Sequence, residues 1–185
     1  NSHISSNSAD VHGGGIYCGD NANLSLESIT INSNTANEEG GGIYISQANP
    51  TISRCSITNN EAITSGGGIY CDYFTNSFYY CEISDNSAAN GAGIYVSNNT
   101  GTVPQFENCT IVNNTVTDND DRSAISGIRG EIVNCIIWGN TGGEGAVSPP
   151  EEGYHTITYS DVQMAVTGIG NINNNPMFLN PVGSD

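Results

Sequence analysis

Residues 40–70 read GGGIYISQANPTISRCSITNNEAITSGGGIY, a stretch that begins and ends on the same five residues. The phrase spans Gly13 to Tyr17, Gly40 to Tyr44 and Gly66 to Tyr70, and returns at Gly91 to Tyr95 with Ala92 in its middle. Its isoleucines, Ile16, Ile43, Ile69 and Ile94, are spaced by 27, 26 and 25 residues. A degraded fifth copy is read at Gly127-Ile128-Arg129, after an insertion that stretches the spacing to 34. Self-similarity at such a period is the mark of a solenoid or array.

A second phrase runs in step. Ile29-Thr30-Ile31, Cys55-Ser56-Ile57, Cys81-Glu82-Ile83, Cys109-Thr110-Ile111 and Cys135-Ile136-Ile137 align at spacings of 26, 26, 28 and 26. Ile157-Thr158-Tyr159 reads as one more copy and Ile4 as the remains of an earlier one. Three residues ahead of this phrase stand Leu26, Ile52, Phe78, Phe106, Ile132 and Tyr154. Three residues after its last isoleucine stand Asn34, Asn60, Asn86, Asn114 and Asn140, with Asn7 after Ile4.

Alternation within each short segment puts every second side chain on one face. None of these segments folds alone, but coils stacked about 4.8 Å apart lay like on like and pair their strands in parallel. The Ile, Leu/Phe and Cys columns then form a continuous core. The Asn column falls at a bend, where stacked amides bond up and down the ladder. Glycine runs supply the positive φ or close approach that a corner demands. The expectation is an all-β parallel β-helix (β-solenoid) of about seven coils, about 26 residues each, with three short strands per coil. It occupies residues 1–163, and 164–185 form an irregular C-terminal segment, a cap or the start of a truncated tail.

The texture GGGIY…PTISxCxIxxN…GGGIY and the ending NCIIWGN…ITYSDVQ…GNINNNPMF resemble the right-handed parallel β-helix repeat proteins of bacterial surfaces and secretions. The resemblance covers roughly residues 1–180. It implies a right-handed helix of pectin-lyase-like fold, commonly followed by a sorting or anchoring region of the choice-of-anchor type. It implies little about activity, because one fold hosts many functions.

Composition narrows the function classes. With 19 Asp+Glu against 3 Lys+Arg the formal charge is −16, and the three cations are Arg54, Arg122 and Arg129, with no lysine. Such a chain does not neutralise phosphates, so nucleic acid is excluded as a partner, and so is an anionic membrane surface. No run approaches the roughly 18 apolar residues of a membrane span. The first residue is Asn1, which reads as a processed or excised start. The lysine-free, Asn/Ser/Thr-rich composition suits an extracellular or bacterial-surface protein. The N-x-[ST] tripeptides at Asn23, Asn98, Asn108 and Asn113 are what so Asn- and Thr-rich a chain produces by chance.

Six cysteines suggest disulfides, but the repeat register opposes them. Cys18 and Cys71 share a slot two coils apart, with Ile45 between. Cys55, Cys81, Cys109 and Cys135 share a slot that elsewhere holds Ile29 and Ile157, so they read as buried thiols in an apolar column.

If Ile16 and Cys18 point inward, Tyr17 points out, and so do Tyr44, Tyr70 and Tyr95. That outward stripe either stabilises the sheet by ladder contacts or offers a surface to a glycan or another protein. Asp118, Asn119, Asp120 and Asp121, within the insertion, have the oxygen-rich chemistry that Ca²⁺ takes. A pectate-lyase-like reading would need Ca²⁺-binding acids paired with an Arg or Lys base. Here the acids Glu27, Glu82, Glu107 and Glu131 fall in scattered outward slots, and His3, His12 and His155 lie near the two ends. No catalytic residue is therefore assigned. The functional expectation is a non-catalytic extracellular solenoid: a stalk, adhesin or filament subunit. Its partners are copies of itself joined head to tail through open coil ends, or cell-surface components. A glycan-binding module and a polysaccharide lyase or hydrolase are the alternatives.

Overall fold

Every strand pairs in parallel with its own copy one coil away, as stacking of like sequence requires. The computed structural model describes residues 2–72, 77–97, 105–118, 123–128, 130–143, 145–147, 156–164 and 166–178. The first sheet stacks Ser2–Ser5, Ile29–Asn32, Ser56–Thr58, Glu82–Ser84, Thr110–Val112, Ile136–Trp138 and Asp161–Val162. A second, of two-residue strands, stacks Ser8–Ala9, Thr35–Ala36, Glu61–Ala62, Ser87–Ala88 and Thr115–Val116. The third carries the tyrosines: Ile16–Gly19, Ile43–Ser46, Ile69–Asp72, Ile94–Ser97, Ser123–Ser126 and Gly145–Val147. The fourth stacks Ser25–Glu27, Thr51–Ser53, Phe78–Tyr79, Gln105–Glu107, Glu131–Val133 and Thr156–Thr158.

The described residues thus form five complete four-strand turns, a sixth turn of three strands and one strand of a seventh. This differs from the expected seven coils of three strands. The extra strand is the two-residue one just past each ladder asparagine. Its inward residues recur at the repeat interval, Ala9, Ala36, Ala62, Ala88 and Val116 each standing two places after a ladder asparagine, but two residues are too few to alternate, and the preceding coil supplies their partners, as in Glu61 N donating to Asn34 O.

Two register assignments are corrected. Ile94 pairs with Ile125 and Tyr95 with Ser126, so the fifth copy of the glycine phrase is centred on Ile125 rather than Ile128. Ser126, not Arg129, follows Tyr95 in the tyrosine column. Ile157 pairs with Ile132, so it continues the Leu26/Phe78 column rather than the cysteine column. The residue above Cys135 is Ser160, whose Oγ accepts from Cys135 N at 3.0 Å. In the first case a degenerate copy offers two isoleucines, Ile125 and Ile128; in the second Ile157 stands three residues ahead of Ser160, and strand pairing rather than spacing decides the register in both.

The interior is a set of apolar ladders, in which Ala36, Ala62, Ala88 and Val116 are buried along the second sheet. Ile31, Ile57, Ile83, Ile111 and Ile137 line the first sheet, while Ile43, Ile69, Ile94 and Ile125 begin the third. Ile52, Phe78, Phe106 and Ile132 line the fourth, with the two phenylalanine rings stacked at 4.9 Å. Each such side chain contributes about 1.5–3 kcal/mol on burial, and no coil could bury its own face without a neighbour.

The asparagine column works as the sequence implies. Asn60 Oδ1 accepts from Asn34 N and Asn34 Nδ2, both at 3.0 Å, and Asn60 Nδ2 donates to Asn86 Oδ1 and to Ile31 O, again at 3.0 Å. The pattern repeats from Asn7 through Asn34, Asn60, Asn86 and Asn114 to Asn140. Corners are less legible. Gly40 takes φ +68°, as expected, but two further corners hold non-glycine residues at positive φ: Ser33, Asn59, Asp85 and Asn113 in one, Ser28, Arg54, Tyr80, Asn108 and Asn134 in the other. Asn and Asp tolerate this region, whereas Arg54 and Tyr80 hold it against preference.

Above the last coil, Ile169 and Ile172 bond to it: Tyr159 N donates to Ile169 O, Val162 N to Ile172 O and Ile172 N to Ser160 O.

Candidate functional site

The tyrosine column is built by the third sheet, whose register places Tyr17, Tyr44, Tyr70 and Tyr95 one above another. Their rings stack face to face. Centroids lie 5.1 Å apart for Tyr17 and Tyr44, 5.0 Å for Tyr44 and Tyr70, and 5.3 Å for Tyr70 and Tyr95, with interplanar angles of 15°, 6° and 17°. The column points out of the core, but Tyr44 and Tyr70 are only 9% and 8% exposed, against 59% for Tyr17. Both faces of each inner ring are therefore covered by neighbouring rings, and what they show to solvent is an edge and a hydroxyl.

A second column flanks the first. His12, Glu39, Ser65 and Asn90 pair in succession just ahead of the glycine runs. Ser123 continues the column: Gly91 N donates to Ser123 O at 3.0 Å, as Gly66 N does to Asn90 O. Sequence reasoning placed His12 only by its nearness to an end. The signal that finds it is spacing: His12, Glu39, Ser65 and Asn90 lie 27, 26 and 25 residues apart, the interval of the glycine phrase itself.

The two columns interlock. The His12 imidazole stacks on Tyr44 at 4.5 Å and 11°. Its Nδ1 lies 3.6 Å from a Glu39 carboxylate oxygen and its Nε2 3.9 Å from Glu38. Glu39 is pushed above the ordinary carboxyl range, mainly by burial; neighbouring His12 and a hydrogen bond with Tyr70 oppose that shift, and the charges of Glu38 and Asp72 add to it. Burial raises the Tyr70 hydroxyl to about 12. Tyr70 Oη lies 3.2 Å from Ser97 Oγ, and Ser97 donates to Asp72 Oδ1 at 2.7 Å. Three buried polar atoms lack a hydrogen-bond partner among the described residues, His12 Nδ1, Asn90 Oδ1 and Ser123 Oγ, and all belong to this flanking column.

The remaining sequence candidates separate. Asp118 is described, while Asn119, Asp120 and Asp121 lie outside the described residues. Among the described residues no three His, Cys, Asp or Glu side chains converge as metal ligands. Glu27 pairs with Arg54 at 2.9 Å, and the Arg54 guanidinium sits 5.6 Å over the Tyr80 ring. Glu82 accepts from Ser56 and Ser84, and Glu131 from Gln105. Each of these three acids is thus engaged across adjacent coils with a neighbour on its own face. All six cysteines are free and buried.

A family model described as a right-handed β-helix region matches residues 1–175. No curated protein and no solved structure matches the chain.

Proposed function

Because the chain belongs to the right-handed β-helix family, we propose that it is a non-catalytic structural solenoid of the cell surface or extracellular space. In this reading it is a stalk, the body of an adhesin, or a subunit that stacks head to tail. The observation that carries the reading is the direction of its polar bonds. The Asn34–Asn60–Asn86–Asn114–Asn140 ladder runs along the axis. Tyr44 and Tyr70 spend their ring faces on one another in the same direction. Side chains bonded this way stiffen a rod and leave few groups converging on a substrate. The acidic, lysine-free surface suits a soluble exterior.

Electron microscopy of the purified protein, with and without a calcium chelator, tests this. Fibres of solenoid width support assembly through coil ends, and their loss in chelator assigns the metal to the segment holding Asp118, Asn119, Asp120 and Asp121. Release of reducing or unsaturated ends from polysaccharides would replace the reading with an enzymatic one.

One observation favours a second reading. Tyr17 is 59% exposed, so it offers the ring face that Tyr44 and Tyr70 do not, and a sugar stacks on such a face. Glycan binding lost in Tyr17→Ala and retained in Tyr80→Ala would support a carbohydrate-binding module.

A further inference from the structure

Cys55, Cys81, Cys109 and Cys135 occupy one slot in four successive coils. Their alignment is fixed by the residues that follow them: Ser56 pairs with Glu82, Glu82 with Thr110, and Thr110 with Ile136. Their surroundings are also copied. Each Sγ lies near the carbonyl two residues back and near one in the previous coil: Ser53 and Leu26 for Cys55, Tyr79 and Ile52 for Cys81, Glu107 and Phe78 for Cys109, Val133 and Phe106 for Cys135. Four sulfurs in like settings therefore recur from coil to coil. None is more than 2% exposed. Ile29 fills the same slot one coil earlier, its neighbour Thr30 pairing with Ser56, so packing there does not require sulfur, although Cys135 Sγ also accepts from Cys109 N at 3.4 Å.

We propose that this ladder binds soft two-coordinate d10 cations, each bridged linearly between the thiols of adjacent coils.

Distances select this chemistry over its competitors. A disulfide needs its two Cβ atoms about 3.8 Å apart, whereas in-register parallel strands hold them near 4.8 Å. Two metal–sulfur bonds of about 2.3 Å, placed end to end, span about 4.6 Å, which the ladder meets with little movement. A zinc ion wants four ligands around one point, and a line of sulfurs offers at most two. The described residues accordingly contain no three-ligand cluster. Soft thiolates favour d10 ions of this kind.

Charge balance fits a buried site. Two thiols and Hg²⁺ give a neutral S–Hg–S bridge and release two protons. A monovalent ion such as Ag⁺ or Cu⁺ displaces one proton and is held by one thiolate and one neutral thiol, which is again neutral. Hydrogen bonding to the next cysteine in the line is the chief cause that raises the Cys81 and Cys109 thiols to about 12. Cys135, which accepts at the end of that chain, is instead lowered by its hydrogen bond with Cys109. Entry is by local opening of coils, so uptake is slow and its rate levels off as metal concentration rises.

The experiment uses the folded protein with Cys18→Val and Cys71→Val, substitutions that copy Val96 of the same column and leave the ladder as the sole source of thiols. Hg²⁺ is titrated and followed by native mass spectrometry, proton release and X-ray absorption. The expected result is two ions per chain, four protons released and two sulfurs per mercury, with Zn²⁺ failing to compete. Cys81→Val isolates Cys55 and should cut uptake to one ion, bridged by Cys109 and Cys135. Uptake unchanged in Cys81→Val, three or more sulfurs per ion, or binding seen only after denaturation would overturn the proposal. Circular dichroism of the apoproteins establishes folding, and the sulfur count in the unsubstituted ladder stands whether or not Cys81→Val folds.

Discussion

Asn60 lies against the bare backbone of Gly42: a Cβ on that glycine would stand 3.0 Å from Asn60 Nδ2 and 2.5 Å from Gly68 O. The same relation joins Gly15 to Asn34, Gly68 to Asn86 and Gly93 to Asn114. The third glycine of each run is therefore the space in which the asparagine ladder stands. Two columns that look independent in sequence are halves of one device, and each fails without the other.

Gly42→Ala should accordingly destabilise by about 3 kcal/mol, since the atom it meets at 2.5 Å is a carbonyl oxygen of the next coil rather than a flexible side chain. Equilibrium urea unfolding measures this, and the loss should appear without any change in the slope that reports exposed surface.

Asn60→Ala removes both ends of the ladder contact. Asn34 N and Asn34 Nδ2 lose an acceptor, and Ile31 O and Asn86 Oδ1 lose a donor. At about 1–3 kcal/mol per buried polar group left unmatched, the cost should reach about 4 kcal/mol, among the largest single losses in the chain. Urea unfolding again reads it, with Asn37→Ala, at an exposed position, as a control.

Much of this was legible in the sequence and part was not, for physical reasons. The parallel solenoid, the inward ladders and the amide column follow from identical residues at fixed intervals, because stacking turns identity of position into contact. The two-residue strands after Asn34 and Asn60 are marked in sequence only by the recurring Ala36, Ala62 and Ala88, because so short a segment does not alternate and its pairing comes from the adjacent coils. Arg54 and Tyr80 sit at positive φ with no residue preference to announce it. At the tyrosine face, the stripe was visible but its cover was not. The rings of Tyr44 and Tyr70 are hidden by one another and by His12, which became apparent only when ring planes could be compared.

The covered stack predicts unequal costs along one column. Tyr70→Ala should lose about 3 kcal/mol, as a core aromatic does, while Tyr17→Ala should lose less than about 1 kcal/mol. Thermal unfolding of the two variants side by side checks the difference. Equal losses would mean that the rings do not stack in solution.

Glu39 gives a pH signature. Burial raises its pKa in the folded state, so the folded protein binds the extra proton between the ordinary carboxyl value and the raised one. Stability through this group is greatest below the ordinary value and falls as pH rises through the raised one. Glu39→Gln should therefore stabilise the protein at neutral pH and lose that advantage near pH 4. Melting temperatures of both proteins across this range test the sign.

The account turns on side chains that bond along the axis, and exchange of their amide protons reports on this most directly. After transfer of ¹⁵N-labelled protein into D₂O, the side-chain NH₂ signals of Asn34, Asn60, Asn86 and Asn114 should persist for hours, while those of exposed asparagines vanish at once. Loss of all the asparagine side-chain signals within the dead time would contradict the ladder, and with it the stiff rod on which the proposed role rests.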